Sequence, residues 1–196
     1  MTLSPMATDA IRELVNIGIG HAASALADMV DQPIEIDIPD VEATDDGIGQ
    51  LETLKHASGY AMVSQEYQGY ISGTAMMVFC DHSARKLVAM LLDEDEEEIL
   101  ETETRTTLTE VGNILINSMV GMMVATVGQE VSIELPVYVA GDKVKLKSGV
   151  RADHHAGISV TVKLGIRDHN VDGRFLLVST PEAMQRLLTE MGVDED

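Results

Sequence analysis

The chain has 196 residues, 45% of them hydrophobic, and a domain of this size buries roughly 70% of the surface its unfolded chain exposes, so it needs no disulfide or metal to hold a core. Thirteen Lys and Arg against thirty-three Asp and Glu leave a formal net charge of -20, a field that repels nucleic-acid phosphates and anionic lipid before contact and excludes both as expected partners. The single cysteine, Cys80, cannot form an internal disulfide, fits a reducing compartment and reads as a small buried hydrophobe. The segment Met1-Thr2-Leu3-Ser4-Pro5 lacks the basic and apolar regions of a secretion signal. The most apolar window, Ile114 to Val127, is shorter than a membrane span and contains Asn117 and Ser118. A cytoplasmic location without membrane insertion is the expectation.

In chain order, hydrophobic periodicity predicts a long helix over 6–30 and a strand over 33–39 that ends at Pro39. A hairpin of strands over 58–66 and 70–80 follows, turning at Tyr67-Gln68-Gly69, and then a short amphipathic helix over 82–92. The acidic run Asp93-Glu94-Asp95-Glu96-Glu97-Glu98 reads as a solvated linker whose carboxylates favour the positive end of the next helix dipole. That helix is predicted over 100–127, followed by strands over 130–138, 143–149, 156–166 and 173–179 and a helix over 181–191. The last two strands are expected to turn at Asn170-Val171-Asp172-Gly173. Short turns imply antiparallel pairing. The expected fold is therefore α+β: a two-layer sandwich with an antiparallel sheet and the long helices on one face.

The chain also reads as written twice. Glu13, Asn16 and Pro39 recur as Glu110, Asn113 and Pro136, each displaced by 97 residues. Further on, Gly73-Thr74-Ala75-Met76-Met77-Val78 is echoed by Gly173-Arg174-Phe175-Leu176-Leu177-Val178. One domain spanning 1–196, built from repeats over about 6–92 and 100–192 with pseudo-twofold symmetry and a shared core, follows as the expectation.

On the first long helix Ile11, Leu14, Val15, Gly18, Ala22, Ala25 and Met29 form the expected inward stripe, and Asp9, Glu13, Asn16 and Gly20 share the opposite face. Steps of 4, 3 and 4 stack that outer row, so a carboxylate and a carboxamide stand side by side. On the second helix Leu108, Val111, Leu115, Met119 and Met122 should point inward, with Thr106, Glu110, Asn113 and Asn117 outside. Asn117 takes the place of Gly20. An Asn within a helix costs a few tenths of a kcal/mol relative to Ala, and its presence in both halves, one turn after a glutamate, asks for a reason.

The pattern Asp9, Glu13, Asn16, Pro39, repeated as Thr106, Glu110, Asn113, Pro136, resembles the signature of the CheC, CheX and FliY phosphatases, with Thr106 standing where that family has Asp or Ser. The likeness covers nearly the whole chain, including Asn16-Ile17-Gly18-Ile19-Gly20-His21-Ala22-Ala23, where His21 occupies a position at which CheC proteins commonly carry Asn. Two motifs in one chain are similar to the CheC form. The resemblance implies hydrolysis of the aspartyl phosphate of a CheY-type response regulator in chemotaxis, with Asn16 and Asn113 orienting the attacking water and Glu13 and Glu110 pairing with the regulator's lysine. It implies Mg2+ on the regulator and no cofactor on this chain. The alternative it implies is an adaptor that binds CheD or another chemotaxis protein with little turnover.

Competing chemistry has less support. His21, His56, His82, His154, His155 and His169 lack zinc-site spacing, and there is no nucleophile elbow or phosphate-cradling glycine loop. Met119, Met122 and Met123 read as core rather than as a binding surface.

Overall fold

Pro5 opens the first helix because its missing N–H would be unpaired there anyway, and the Ser4 side chain accepts the Ala7 N–H at 3.1 Å. The computed structural model describes residues 4–44, 59–142, 145–146, 156–166 and 169–193, without the side chains of residues 39, 43 and 44. The elements are α1 (Pro5–Val30), β1 (Ile34–Thr44), β2 (Tyr60–Gly69), β3 (Gly73–Cys80), α2 (Asp81–Leu92), α3 (Glu101–Val127), β4 (Val131–Ile133), β5 (Val137–Gly141), β6 (Ala156–Ile166), β7 (His169–Ser179) and α4 (Pro181–Glu190). Among the described residues, seven strands make one antiparallel sheet ordered β1-β6-β7-β3-β2-β4, with β5 also on β2. The α+β architecture is as expected.

The strand exchange is the feature that sequence patterning did not contain. β1, from the start of the chain, pairs with β6, while β4 and β5 pair with β2. Each half of the chain thus lends its first strand or strands to the other half's hairpin. Helices α1 to α4 contribute to one core, against the sheet face formed by residues such as Val63, Met77, Phe79, Val160 and Phe175. The opposite face is not left bare: Tyr60, Met62, Met76, Val78, Leu176 and Val178 form a second buried cluster with Leu146. Burial on both faces explains why β3 and the Phe175-Leu176-Leu177-Val178 end of β7 read as apolar runs.

Several expected boundaries move for physical reasons. β1 does not end at Pro39; it continues to Thr44 through a register break between Asp37 and Asp40, on a sheet edge where a residue without an N–H is tolerated. The corresponding 130–138 segment is instead interrupted between Ile133 and Val137, around Pro136. Tyr67-Gln68-Gly69 is strand rather than turn, because Gly69, at φ 147°, lets β4 approach so closely that a Cβ would lie 2.3 Å from the Glu130 carbonyl. The turn falls at residues 70–72. Asn170 to Gly173 likewise belongs to β7, which pairs His169 with Ile166. Of the strand expected over 143–149, only 145–146 are described, and they are helical.

The helix stripes are nearly as expected. Ile11, Leu14, Val15, Gly18 and Ala22 are buried, but Ala25 and Met29 are exposed and Ile19 and Leu26 take their places in the core. On α3 Leu108, Val111, Leu115, Met119 and Met123 are buried and Met122 is half-buried. By length and composition α3 could cross a bilayer, yet this stripe lies in the core with α1 and the sheet. The acidic run ends short of α3: Glu103 accepts the Leu100 N–H at 2.8 Å, and Glu101 and Glu103 supply the first-turn negative charge instead. Cys80 is half-buried at the end of β3 rather than enclosed, and its Sγ lies 3.1 Å from Ser83 Oγ.

Gly121 is an exposed mid-helix glycine with nothing within 4 Å of a built Cβ. Gly121→Ala is expected to raise stability by about 1 kcal/mol through helix propensity alone, read as a higher urea midpoint at unchanged slope.

Candidate functional site

The outer row of α1 is open to solvent: Asp9, Glu13, Asn16 and Gly20 are all exposed, as is Ile17 beside Asn16. Asp9 lies 3.8 Å from Arg12 in a loose surface pair. Glu13 and Asn16 make no hydrogen bond or ion pair among the described residues, so both side chains are available to a partner. Pro39 lies in the register break of β1.

The row on α3 is built differently. Thr106 and Glu110 are exposed, whereas Asn113 and Asn117 are half-buried. The Thr106 hydroxyl donates back to the Thr102 carbonyl at 2.9 Å. Asn113 Oδ1 accepts from Asn117 Nδ2 at 2.8 Å and from Gln65 Nε2 at 3.2 Å. The same Gln65 nitrogen donates to the Glu134 carbonyl at 2.9 Å, tying the Glu134-Leu135-Pro136 corner to the helix. Arg105 stacks over the Tyr138 ring, 5.3 Å from its centroid, and joins β5 to α3 about two turns before Asn113. The Tyr138 hydroxyl is pushed above its ordinary pKa, first by burial and also by Glu101, against an opposing effect of Arg105. Leu135 and Val137 stand beside this corner 84% and 56% exposed.

Sequence reasoning missed Gln65. It is 3% exposed and alternates in phase with Ala61 and Val63, whose side chains face the helices. A polar residue at an inward position of an apolar strand was the available signal.

Two glycines set the helix heights. A Cβ on Gly112 would lie 2.5 Å from Val63, and one on Gly18 would lie 3.1 Å from the Ser118 carbonyl. α3 therefore rides directly on β2 beneath Asn113, and α1 meets α3 backbone to backbone near Asn16. No group of three or more His, Cys, Asp or Glu side chains able to hold a metal occurs among the described residues; His56, His154 and His155 lie outside them.

Comparison with known proteins places this geometry. A model of the chemotaxis phosphatase CheX matches residues 61–156, which include the α3 row, and a model of the CheC-like family matches residues 6–42, which include the α1 row. Among solved structures, Thermotoga maritima FliY is similar over 100% of both chains at 19% identity and a TM-score of 0.74. The FliM middle domain from H. pylori is similar over 96% of this chain and 99% of its own, at 16% identity and a TM-score of 0.66. The CheX of a Borrelia burgdorferi CheX–CheY–BeF3–Mg2+ complex is similar over 84% of this chain and 96% of its own, at 20% identity and a TM-score of 0.52. With both motif rows inside matching family models and the fold shared with FliY along its whole length, the chain is similar to the CheC/CheX/FliY family.

Proposed function

We propose that this protein is a two-repeat, cytoplasmic phosphatase that hydrolyses the aspartyl phosphate of a CheY-type response regulator and so terminates a chemotaxis signal. The observation that carries this reading is the exposed Glu13–Asn16 pair and its counterpart Glu110–Asn113, each at the same step on a long surface helix. The strand exchange, in which β1 stands to β6 as β4 and β5 stand to β2, supports the two-repeat reading.

The chemistry asks little of the enzyme. Water attacks phosphorus in line, its O–P bond forms as the bond to the aspartyl oxygen breaks, and its proton passes to solvent. The leaving carboxylate needs no proton near neutral pH. A loose, metaphosphate-like transition state needs positioning more than a strong base. A neutral carboxamide suffices: its oxygen accepts a hydrogen from the water and leaves the lone pair aimed at phosphorus. Asn16 and Asn113 take that role. Glu13 and Glu110 pair with the regulator's lysine and hold the docked geometry. Mg2+ is the regulator's; the Borrelia complex, in which CheX is bound to CheY with BeF3 and Mg2+, is consistent with that division.

The second reading is an adaptor, binding CheD or another chemotaxis protein with little turnover. The exposed Leu135 and Val137 favour it, as does likeness to FliM of the H. pylori FliG–FliM complex, at 11% identity and a TM-score of 0.66. Phosphate release from a Mg2+-loaded, phosphorylated CheY-type regulator separates the two. Acceleration by the wild-type chain is the expected result; no acceleration with any cognate regulator leaves the adaptor.

A further inference from the structure

Resting on the phosphatase reading, we infer that Gln65 and Asn117 are positioning residues that turn the Asn113 carboxamide oxygen inward, so that the second site turns over more slowly than the first. The orientation follows from one backbone atom. The Glu134 carbonyl can only accept, so the Gln65 terminus facing it at 2.9 Å must be the NH2 group. The remaining N–H of that group points at Asn113 at 3.2 Å and requires an acceptor there, which makes the facing atom Oδ1. Asn117, 2.8 Å from the same oxygen, must then donate.

Both lone-pair positions of Asn113 Oδ1 are thereby occupied. What remains for a docked regulator is the Nδ2 group, a donor, whereas orienting a nucleophilic water calls for an acceptor. The arrangement also leaves Gln65 Oε1 buried without a hydrogen-bond partner among the described residues. A buried unpaired acceptor beside a site residue is a cost that the fold tolerates.

The first site has neither restraint. Gly20 stands where Asn117 stands in the second row. The helix-facing positions of β6, the strand that pairs with β7 as β2 pairs with β3, are Ile158, Val160, Val162 and Leu164, none of which can donate. Asn16 is exposed and makes no hydrogen bond among the described residues. Its oxygen is free to accept from water.

The test measures kcat and KM for phosphate release from a Mg2+-loaded, phosphorylated CheY-type receiver. Asn16→Ala is expected to lower kcat about tenfold, to the rate of a second site that is slower by about what one hydrogen bond supplies, and Asn113→Ala less than about twofold. Adding Gln65→Met and Asn117→Ala to the Asn16→Ala protein frees the Asn113 oxygen and should recover about tenfold in kcat with little change in KM. The same two changes added to Asn113→Ala should give no gain. A purely structural role for Gln65 and Asn117 predicts only losses. The inference is overturned if Asn113→Ala is the more damaging single change, or if the released protein gains nothing while its circular dichroism matches wild type. If Gln65→Met does not fold, Asn117→Ala alone opens one lone pair, and the absence of at least about a threefold gain in the Asn16→Ala background overturns it equally. A wild-type chain inactive on every cognate regulator removes the phosphatase reading, and this inference with it.

Discussion

Joint replacement of Asn16 and Asn113 by alanine is expected to lower regulator dephosphorylation at least about a hundredfold, to the rate at which the regulator loses phosphate by itself. The expectation is large because no other group in either row can take the carboxamides' place: in the reading proposed above Glu13 and Glu110 pair with the regulator's lysine, Gly20 has no side chain, and Asn117 already donates to Asn113. The fold should survive. Asn16 is exposed, and alanine is the better helix former by several tenths of a kcal/mol. At position 113 the loss of an acceptor for Gln65 and Asn117 costs about 1 kcal/mol, which the same propensity gain partly offsets. Melting curves near wild type with phosphate release reduced to background would locate the chemistry in the two amides. Asn16→Asp sharpens the point, since it keeps the shape and places an anion against the phosphoryl oxygens. A double variant that works at the wild-type rate would mean that the amides serve docking alone.

The parts of this molecule governed by local periodicity were legible in the chain. The bounds of α1 and α3 fall within one residue of the 3.6-residue pattern, and Glu13, Asn16 and Glu110 are exposed as stepwise counting expected, whereas Asn113 is half-buried against Gln65. What depends on distant pairing was not legible. Nothing in Ile34 to Thr44 says that its partner is β6 rather than the adjoining β2, because an edge strand pairs through backbone groups common to every sequence. Gly69 looked like a turn because glycine suits turns; its actual use, making room for the Glu130 carbonyl of an incoming strand, needs that strand in place. The inequality of the two sites was half legible. Gly20 against Asn117 can be read from the repeat, but the Gln65 contact joins residues 48 apart in the chain through the sheet. The supporting shell of a surface site is tertiary, whereas its reacting groups follow helical spacing.

That shell makes a prediction about stability as well. Gly112→Ala is expected to destabilise the protein by about 2–3 kcal/mol, even though an unopposed Gly→Ala change in a helix gains about 1 kcal/mol. The added methyl would lie 2.5, 2.7 and 2.9 Å from the Cβ and both methyls of Val63. Val63 is 1% exposed and β-branched, so it has no spare rotamer into which to retreat. The strain can be relieved only by lifting α3 off β2, and Asn113 is the next residue on that helix. The lift would lengthen the 3.2 Å contact to Gln65, so this variant couples packing to the second site. In a chain of this size the expected loss corresponds to a fall in Tm of roughly 5–10 °C. Gly121→Ala, made in the same helix where no atom lies within 4 Å, should raise Tm and serves as the propensity control. Equal and favourable effects at both positions would mean that α3 sits higher on the sheet than the Gly112–Val63 contact indicates, and the support drawn here beneath Asn113 would be wrong.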